Sequence, residues 1–353
     1  MAHEIRQFDI QQGRAMAWHS LTDVIPDLSL SHPDFFLGKW DVEEVSVAIR
    51  RGGKFVKMPG AWSTLLVDLN AGKVNAETGD EAELNPLFVS PPFDRDTYTP
   101  LPNKEFLRLI GDSLKGLGLS DGVESAGSVF DRRRVFVSVL LPGMETQKLG
   151  HREFKNFLNF LNSFDQSTPF LANTSNICTV CNNTFTANLA AGGTLVKHTK
   201  NMPERLAKLP DVISEALTVH REFANDFLSL ESVTLGKDDA ESLFAAFVVA
   251  NGGLSTRAHN TVARLVQLFG NSSVGNRGQT LADVFSALTD FYSHESSGGE
   301  DRLKQFESSE FGSGMRSKQE AMQWLAPMAT KGQAGYKEEA EQGRKLLIEY
   351  RKK

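Results

Sequence analysis

The spacing of apolar residues changes near residue 200, and this change constrains the fold more than any other feature. Before it, apolar residues alternate with polar ones or form short runs, as in Val135, Val137 and Val139, which is typical of strands. After it, they recur every three or four positions, which is typical of helices. The sequence therefore predicts an α+β protein. We expect an α+β domain with a mixed, mainly antiparallel sheet over residues 1–200 and a helical region over residues 201–353.

Strand-like segments bounded by Gly, Pro and Asp predict two hairpins. The first joins Val123–Phe130 to Val135–Leu141, and the second joins Phe154–Ser163 to Thr168–Ala172. Gly52-Gly53 and Pro59-Gly60 are interpreted as interruptions between strands. The remaining predicted strands are Trp40–Arg50, Ala61–Asp68, Leu87–Ser90 and Asn176–Cys181.

Short polar residues that can accept hydrogen bonds from a first helical turn mark the predicted helix starts. Asn103 is predicted to cap a helix over residues 104–115, Asn183 to cap a short helix after it, and Asn201 to begin a longer helix. Pro210 is predicted to kink or split that longer helix. Further helices are predicted over Asp239–Ala250, Arg257–Phe269, Leu281–His294, Ser317–Leu325 and Tyr336–Tyr350.

Charge is unevenly distributed along a chain whose formal net charge is −6. Residues 146–210 contain 7 Lys and Arg against 3 Asp and Glu, a balance of +4, whereas both flanks are acidic. A local positive region can bind phosphates on an acidic protein, although a solvated surface can have the same composition.

Three consecutive arginines, Arg132, Arg133 and Arg134, occupy the predicted turn of the first hairpin. Three successive long cations at the start of a strand cannot all point into a core. They are expected either to lie along the rim, paired with acids such as Asp131, or to follow a phosphate backbone.

The only two cysteines, Cys178 and Cys181, form a CxxC motif. A redox CxxC should begin a helix after a strand, whereas here the strand pattern includes both cysteines. A zinc site would need two further ligands, for which His198 and His220 are distant candidates. Structural thiols are the favoured interpretation, and two cysteines are too few for a disulfide framework.

Several function classes lack their sequence signatures. The chain has no phosphate-binding glycine loop, no nucleophile elbow and no HExxH zinc motif. No apolar run approaches the length of a membrane span, and the opening MAHEIRQFDIQQGR lacks the apolar region of a secretory signal. A cytoplasmic protein is therefore expected, with no membrane partner.

Four stretches, in the right order, resemble a large domain-of-unknown-function family of phage and plasmid proteins. They are MAHEI with AMAWHSL, Glu124–Ser128 with Arg133–Pro142, Val180–Thr184 followed by His198, and Gly278–His294 with Phe311–Ala321. The chain departs from the family pattern at Asn176 and Cys178, where the family has an arginine, at Gln166 and at Ser286. An activity that depends on that arginine is therefore not expected here.

The resemblance implies a bacterial host and a setting among genes of mobile elements, with no established catalytic motif. The order of predicted elements in the first 142 residues is also similar to that of phage single-strand annealing proteins of the RecT, Redβ and Erf type. Those proteins bind single strands along a basic groove and form rings or filaments.

We therefore expect a non-enzymatic protein, without a cofactor or metal, that binds single-stranded DNA as a homo-oligomer and anneals strands in recombination or replication. The residues predicted to contact phosphates are Arg132, Arg133, Arg134, Lys155, Lys197, His198 and Lys200, with Asn182 and Thr184 donating from a helix start. Two alternatives stay open: a regulatory protein that binds a host or phage factor, and a metal-dependent nuclease whose ligands assemble from distant segments.

Overall fold

The computed structural model describes residues 10–12, 23–24, 30, 40–68, 90–119, 122–129, 132–140, 146–178, 184–186, 194–249, 254–272, 275–296, 305, 308–309 and 312–352. Within these ranges, strands lie before residue 200 and helices dominate after it, so the predicted α+β class is confirmed. The division into two domains at residue 200 stays a prediction.

Antiparallel pairing dominates the strands of the described residues. The strands are β1 (Ile10–Gln12), β2 (Asp23–Val24), β3 (Trp40–Arg51), β4 (Lys54–Asp68), β5 (Val123–Val129), β6 (Arg134–Leu140), β7 (Thr146–Leu149), β8 (Arg152–Ser163), β9 (Phe170–Cys178), β10 (Thr184–Thr186) and β11 (Thr194–Val196). A nine-stranded sheet follows the path β10-β9-β8-β6-β5-β1-β2, with β7 also on β8 and β11 also on β9. Among the described strands, only β1 and β2 pair in parallel, which confirms a mixed, mainly antiparallel sheet. Strands β3 and β4 form a separate two-stranded ribbon, and an isolated antiparallel bridge joins Trp62 of β4 to Phe93.

Helices cover one face of the sheet and form a second core beyond it. The helices are α1 (Asn103–Gly116), α2 (Met202–Leu206), α3 (Leu209–Ser232), α4 (Lys237–Val248), α5 (Thr256–Phe269), α6 (Leu281–His294), α7 (Ser313–Thr330) and α8 (Lys337–Arg351). Val135, Val137 and Val139 of β6 are at most 1% exposed and pack in one cluster with Phe106 of α1 and Leu209 of α3. The predicted alternation of β6 is therefore confirmed.

The second core consists of α3 to α8 and reaches back to the sheet. Leu149 of β7 and Phe154 of β8 belong to this core, and the ring of Phe154 lies edge-on to that of Phe227 at 5.0 Å. The start of β8 is thus packed among the C-terminal helices.

Both predicted hairpins are confirmed, because β5 pairs with β6 and β8 pairs with β9. Strands β6 and β8 also pair with each other. Two predicted interruptions are wrong. Thr168–Ala172 and Asn176–Cys181 are not separate strands, since β9 runs unbroken from Phe170 to Cys178. Strand β4 continues through Pro59-Gly60, where an irregularity in the β3–β4 register accommodates the proline.

Asn103 does not cap α1, although the helix begins at that residue. Its buried side chain instead donates from Nδ2 to the carbonyl oxygen of Trp40 at 3.0 Å. The carboxylate of Asp41 takes the capping role, accepting from the backbone N–H of Asn103 at 2.7 Å and of Lys104 at 3.3 Å. The cap of α1 therefore comes from Asp41 of β3, whereas the sequence pattern predicted that Asn103 would supply it.

The helix predicted after Asn183 is wrong at residues 184–186, which form β10. Thr184 lies opposite Ile177 and Thr186 opposite Ser175. Threonine and phenylalanine favour a strand, and pairing with β9 satisfies the backbone there. Asn183 itself lies outside the described residues. The prediction for Pro210 is confirmed, because the helical pattern is split into α2 and α3 with the proline in the first turn of α3.

Candidate nucleic-acid interface

Two turns lie side by side at one end of the nine-stranded sheet. Arg134 begins β6 opposite Ser163 at the end of β8, and the backbone N–H of Phe164 donates to the carbonyl oxygen of Arg133 at 2.8 Å. Nε of Arg134 also donates to Oγ of Ser167 at 3.2 Å. The three arginines of the β5–β6 turn thus lie against the β8–β9 turn.

The same end of the sheet receives the basic segment after β11. Val196, the last residue of β11, pairs with Phe170 at the start of β9, so Lys197 and Lys200 follow at the level of the β8–β9 turn. Both side chains are exposed. We call this surface, formed by Arg132, Arg133, Arg134, Lys197 and Lys200, the basic end.

A buried aromatic ring, that of Trp40, and an exposed acid, Asp96, lie beside cations of the basic end. The guanidinium of Arg132 lies 5.8 Å from the centre of the Trp40 ring, and Lys200 forms an exposed ion pair with Asp96 at 3.3 Å. Exposed ion pairs contribute little to stability, about 0–1 kcal/mol. A phosphate could therefore replace Asp96 as the partner of Lys200 at small cost.

His198 does not belong to the exposed surface, contrary to its predicted role as a phosphate contact. It is 6% exposed, and its ring stacks on Tyr98 at 5.3 Å. Burial lowers the pKa of His198 to about 4, so the ring is neutral at pH 7 and carries no charge for a phosphate. The backbone carbonyl of His198 accepts from the N–H of Thr99 at 3.0 Å, so this residue instead anchors residues 98–99 beside Lys197.

Lys155 and Thr184 are not brought to the basic end. Lys155 pairs with Ile177, which also pairs with Thr184, and this row lies eight residues along β8 from Ser163. At about 3.3 Å per residue, the separation is roughly 26 Å. Asn182 lies outside the described residues. Since Thr184 begins β10 and not a helix, the reason for assigning it a donor role no longer holds.

The middle of the intervening sheet face is closed. Phe157 and Leu161, on the same face of β8 as Lys155, are 3% and 6% exposed, and Leu171 opposite Leu161 is 5% exposed. The predicted residues therefore do not line one continuous groove across this face.

A further cationic feature was missed by sequence reasoning. Strands β3 and β4 form an arm, and every residue from 48 to 60, here called the arm tip, is exposed. The arm tip carries Arg50, Arg51, Lys54 and Lys57 and no acidic residue. The signal is present as cations on both sides of Gly52-Gly53, but the sequence pattern predicts breaks at Gly52-Gly53 and at Pro59-Gly60 rather than a turn and a bulge.

A buried cation at the opposite end of β8 was also missed. Arg152 is 0% exposed and donates to Glu231 of α3 at 2.5 Å, to Asp283 of α6 and to Asn276 at 3.0 Å. Gly150, in the preceding turn, has a φ of +61° and lies against Glu231, where a Cβ would meet side-chain atoms at 2.9 Å. A lone arginine gives no sequence signal of such a network, because its partners lie more than 75 residues away.

The cysteines and possible metal ligands contribute no further site among the described residues. Cys178 is the last residue of β9, whereas Cys181 lies outside the described residues. Over the described ranges, no group of three His, Cys, Asp or Glu side chains is placed to hold a metal ion. Within those ranges too, no helix combines the length and apolar character needed to cross a bilayer.

The comparisons with known proteins give one match. Residues 94–326 match the family model described as Domain of unknown function (DUF932), which covers more than half of the chain. The matched range contains the basic end and Arg152, whereas the arm precedes it. Neither the search of curated proteins nor the search of solved structures found a match.

Proposed function

We propose that this chain, which belongs to the DUF932 family of domains of unknown function, binds single-stranded nucleic acid at the basic end. Since the description of the family names no function, the support comes from the geometry of the chain itself. The convergence of five of the predicted cations from two distant segments, residues 132–134 and 197–200, supports this proposal most directly. Lysine and arginine that gather in this way match the spaced negative charges of a phosphate backbone.

The proposal favours single strands over duplex. The described elements at the basic end are turns and strand ends, so no helix is presented there for the major groove. Arg133, Lys197 and Lys200 are exposed there, and exposed cations that follow a phosphate backbone are typical of proteins that bind single strands.

The proposal retains the setting implied by the sequence resemblance. We infer a protein of a phage or plasmid that works in the cytoplasm of a bacterial host as a homo-oligomer, and that supports recombination or replication by annealing strands. A role as a regulatory protein that binds a host factor is the competing hypothesis, and it requires no affinity for nucleic acid.

The test is a titration of labelled single-stranded and duplex DNA at several salt concentrations. Wild-type protein should bind single strands more tightly, and its affinity should fall steeply with salt, by roughly 0.7 in logarithmic slope per phosphate contact. Arg133→Ala/Arg134→Ala and Lys197→Ala/Lys200→Ala should each weaken binding to all sequences and lower that slope by roughly 1 to 2.

Two control variants show whether the loss is local. Lys331→Ala/Lys345→Ala removes two exposed lysines from the helical region, and Lys155→Ala removes the cation at the far end of β8. Both should bind like wild type. Failure of the wild-type protein to bind single strands even at low salt would refute the proposal and favour the interaction protein.

A further inference from the structure

The arm tip is a cationic β-ribbon with no buried face. Gly52 and Gly53, with φ of +58° and +79°, form the two-residue turn that joins the strands. Among the described residues, no ion pair joins Arg50, Arg51 or Lys54 to an acid. Every residue of this segment is exposed, so neither the core nor a neighbouring acid explains its composition.

Both faces of the arm tip combine positive charge with apolar surface. Directly opposed residues share a face, so Arg50 and Phe55 lie on one face with Lys57, while Arg51 and Lys54 lie on the other. Phe55 is 79% exposed. The apolar partners on the second face are Ile49 and Val56, each 47% exposed.

We propose that the arm tip is a second nucleic-acid-binding surface, in which Arg50, Arg51, Lys54 and Lys57 contact phosphates and Phe55 stacks on a base. This inference rests on the proposed function for the class of ligand, but on different residues. The arm lies outside residues 94–326, the range that matches the family model.

Charge complementarity selects nucleic acid as the occupant. The acids of the ribbon, among them Glu43 and Glu44, lie near its root, so its free end carries four cations and no acid. A second arm tip would be repelled by these charges, and an apolar protein groove would leave them without partners. A phosphate backbone pairs with all four, while its bases provide flat partners for Phe55.

The root of the arm connects this surface to the basic end. The ring of Trp40, the first residue of β3, lies 5.9 Å from that of Phe164 in the β8–β9 turn, and the guanidinium of Arg132 lies 5.8 Å from the centre of the same ring. A strand bound at the basic end can therefore continue along the arm. From root to turn the ribbon spans twelve residues of β3, which is roughly 40 Å.

The experiment compares two variants that lose equal charge. Arg50→Ala/Arg51→Ala/Lys54→Ala/Lys57→Ala removes the cations of the arm tip. The control, Arg221→Ala/Lys331→Ala/Lys345→Ala/Lys352→Ala, removes four exposed cations from the helical region. Salt-dependent titrations with single-stranded and duplex DNA should show a slope reduced by up to roughly 3 for the arm variant and unchanged for the control.

Phe55→Ala supplies a separate readout, because it leaves the charge unchanged. It should weaken single-strand binding by about tenfold while leaving the salt slope unchanged. Duplex binding, in which the bases are already stacked, should change less. Since the residue is exposed, the thermal midpoint should equal that of wild type.

The outcomes separate this inference from the proposed function. If the arm variant binds like wild type while Arg133→Ala/Arg134→Ala is weakened, the arm inference fails and the basic end stands. If only the arm variants are weakened, the arm stands and the basic end fails. Loss of oligomer mass in sedimentation, with unchanged DNA binding, would identify a second copy of the chain as the occupant and overturn the inference. Wild-type protein that binds no nucleic acid would refute both.

Discussion

The two ends of β8 use arginine in opposite ways. At its start, Arg152 is fully buried and held by Glu231, Asp283 and Asn276. Beside its other end, Arg133 is exposed and Arg134 half-buried, in a turn at the rim of the sheet. The comparison indicates that the fold depends on the single buried arginine and not on the run of three arginines that stands out in the sequence.

At the buried end of β8, the charge of Arg152 is paired with the carboxylates of Glu231 and Asp283. Asp283 accepts from Arg152 and also from the backbone N–H groups of Gln279 at 2.8 Å and Thr280 at 3.1 Å. This carboxylate thus caps α6 and neutralises a cation of β8 at the same time. A buried ion pair is costly to break, because the remaining partner keeps a charge without its counterion.

The largest expected effect comes from breaking this network. Arg152→Met should lower the free energy of unfolding by roughly 3 to 5 kcal/mol, because Glu231 and Asp283 would be left buried without their cation. Urea denaturation measures the loss. The matched control is Arg133→Met at the other end, which should stay within about 0.5 kcal/mol of wild type. Equal losses for the two variants would remove the distinction between the two ends.

The second prediction concerns the pKa of His198, a buried histidine next to the basic end. Its pKa in the folded protein, about 4, lies below the ordinary value of 6.5, so the unfolded chain binds the proton more strongly. The associated stability is present above pH 6.5 and is lost as pH falls toward 4, by about 3 kcal/mol in total.

Thermal melts between pH 7 and pH 4 measure this loss. The wild-type midpoint should fall more steeply with decreasing pH than that of His198→Gln, which has no proton to gain. Parallel slopes for wild type and His198→Gln would contradict a depressed pKa.

The smallest expected effect tests how the arm is attached near the basic end. Asp41→Ala removes the carboxylate that accepts from the first two backbone N–H groups of α1, and should cost about 1 kcal/mol. Asp112→Ala, which breaks only an exposed pair with Arg108, should cost less than about 0.5 kcal/mol in the same denaturation experiment. An Asp41 variant as stable as the Asp112 variant would exclude this cap.

Sequence patterns predicted correctly those elements whose structure depends on residues close together in the chain. The alternation in β6 identified this strand because Val135, Val137 and Val139 share the face that packs into the core. Pro210 was predicted to interrupt a helix because its ring excludes a backbone hydrogen bond wherever it falls inside one. Of the three arginines predicted in a turn, Arg132 and Arg133 lie in it and Arg134 begins β6.

Predictions failed where a distant segment supplies the partner. Asn103 has the composition of a cap, but Asp41 from the arm takes the position. Residues 184–186 follow an asparagine suited to starting a helix, but β9 offers strand pairing. Lys155 was grouped with the arginines because of its charge. The sequence does not show that Lys155 lies near one end of β8 and the arginines beside the other end.

The margins of the nine-stranded sheet carry a consequence for self-association. As far as the structure describes the chain, one margin is β2, of two residues, and the other is shared by β10 and β11, of three residues each. A foreign extended chain adds to a sheet through a long row of unpaired backbone groups, as in amyloid growth. These short strands already pair with β9 over Phe170–Ala172 and Ser175–Ile177. Most backbone groups at this edge of β9 are therefore not available to pair with a foreign chain.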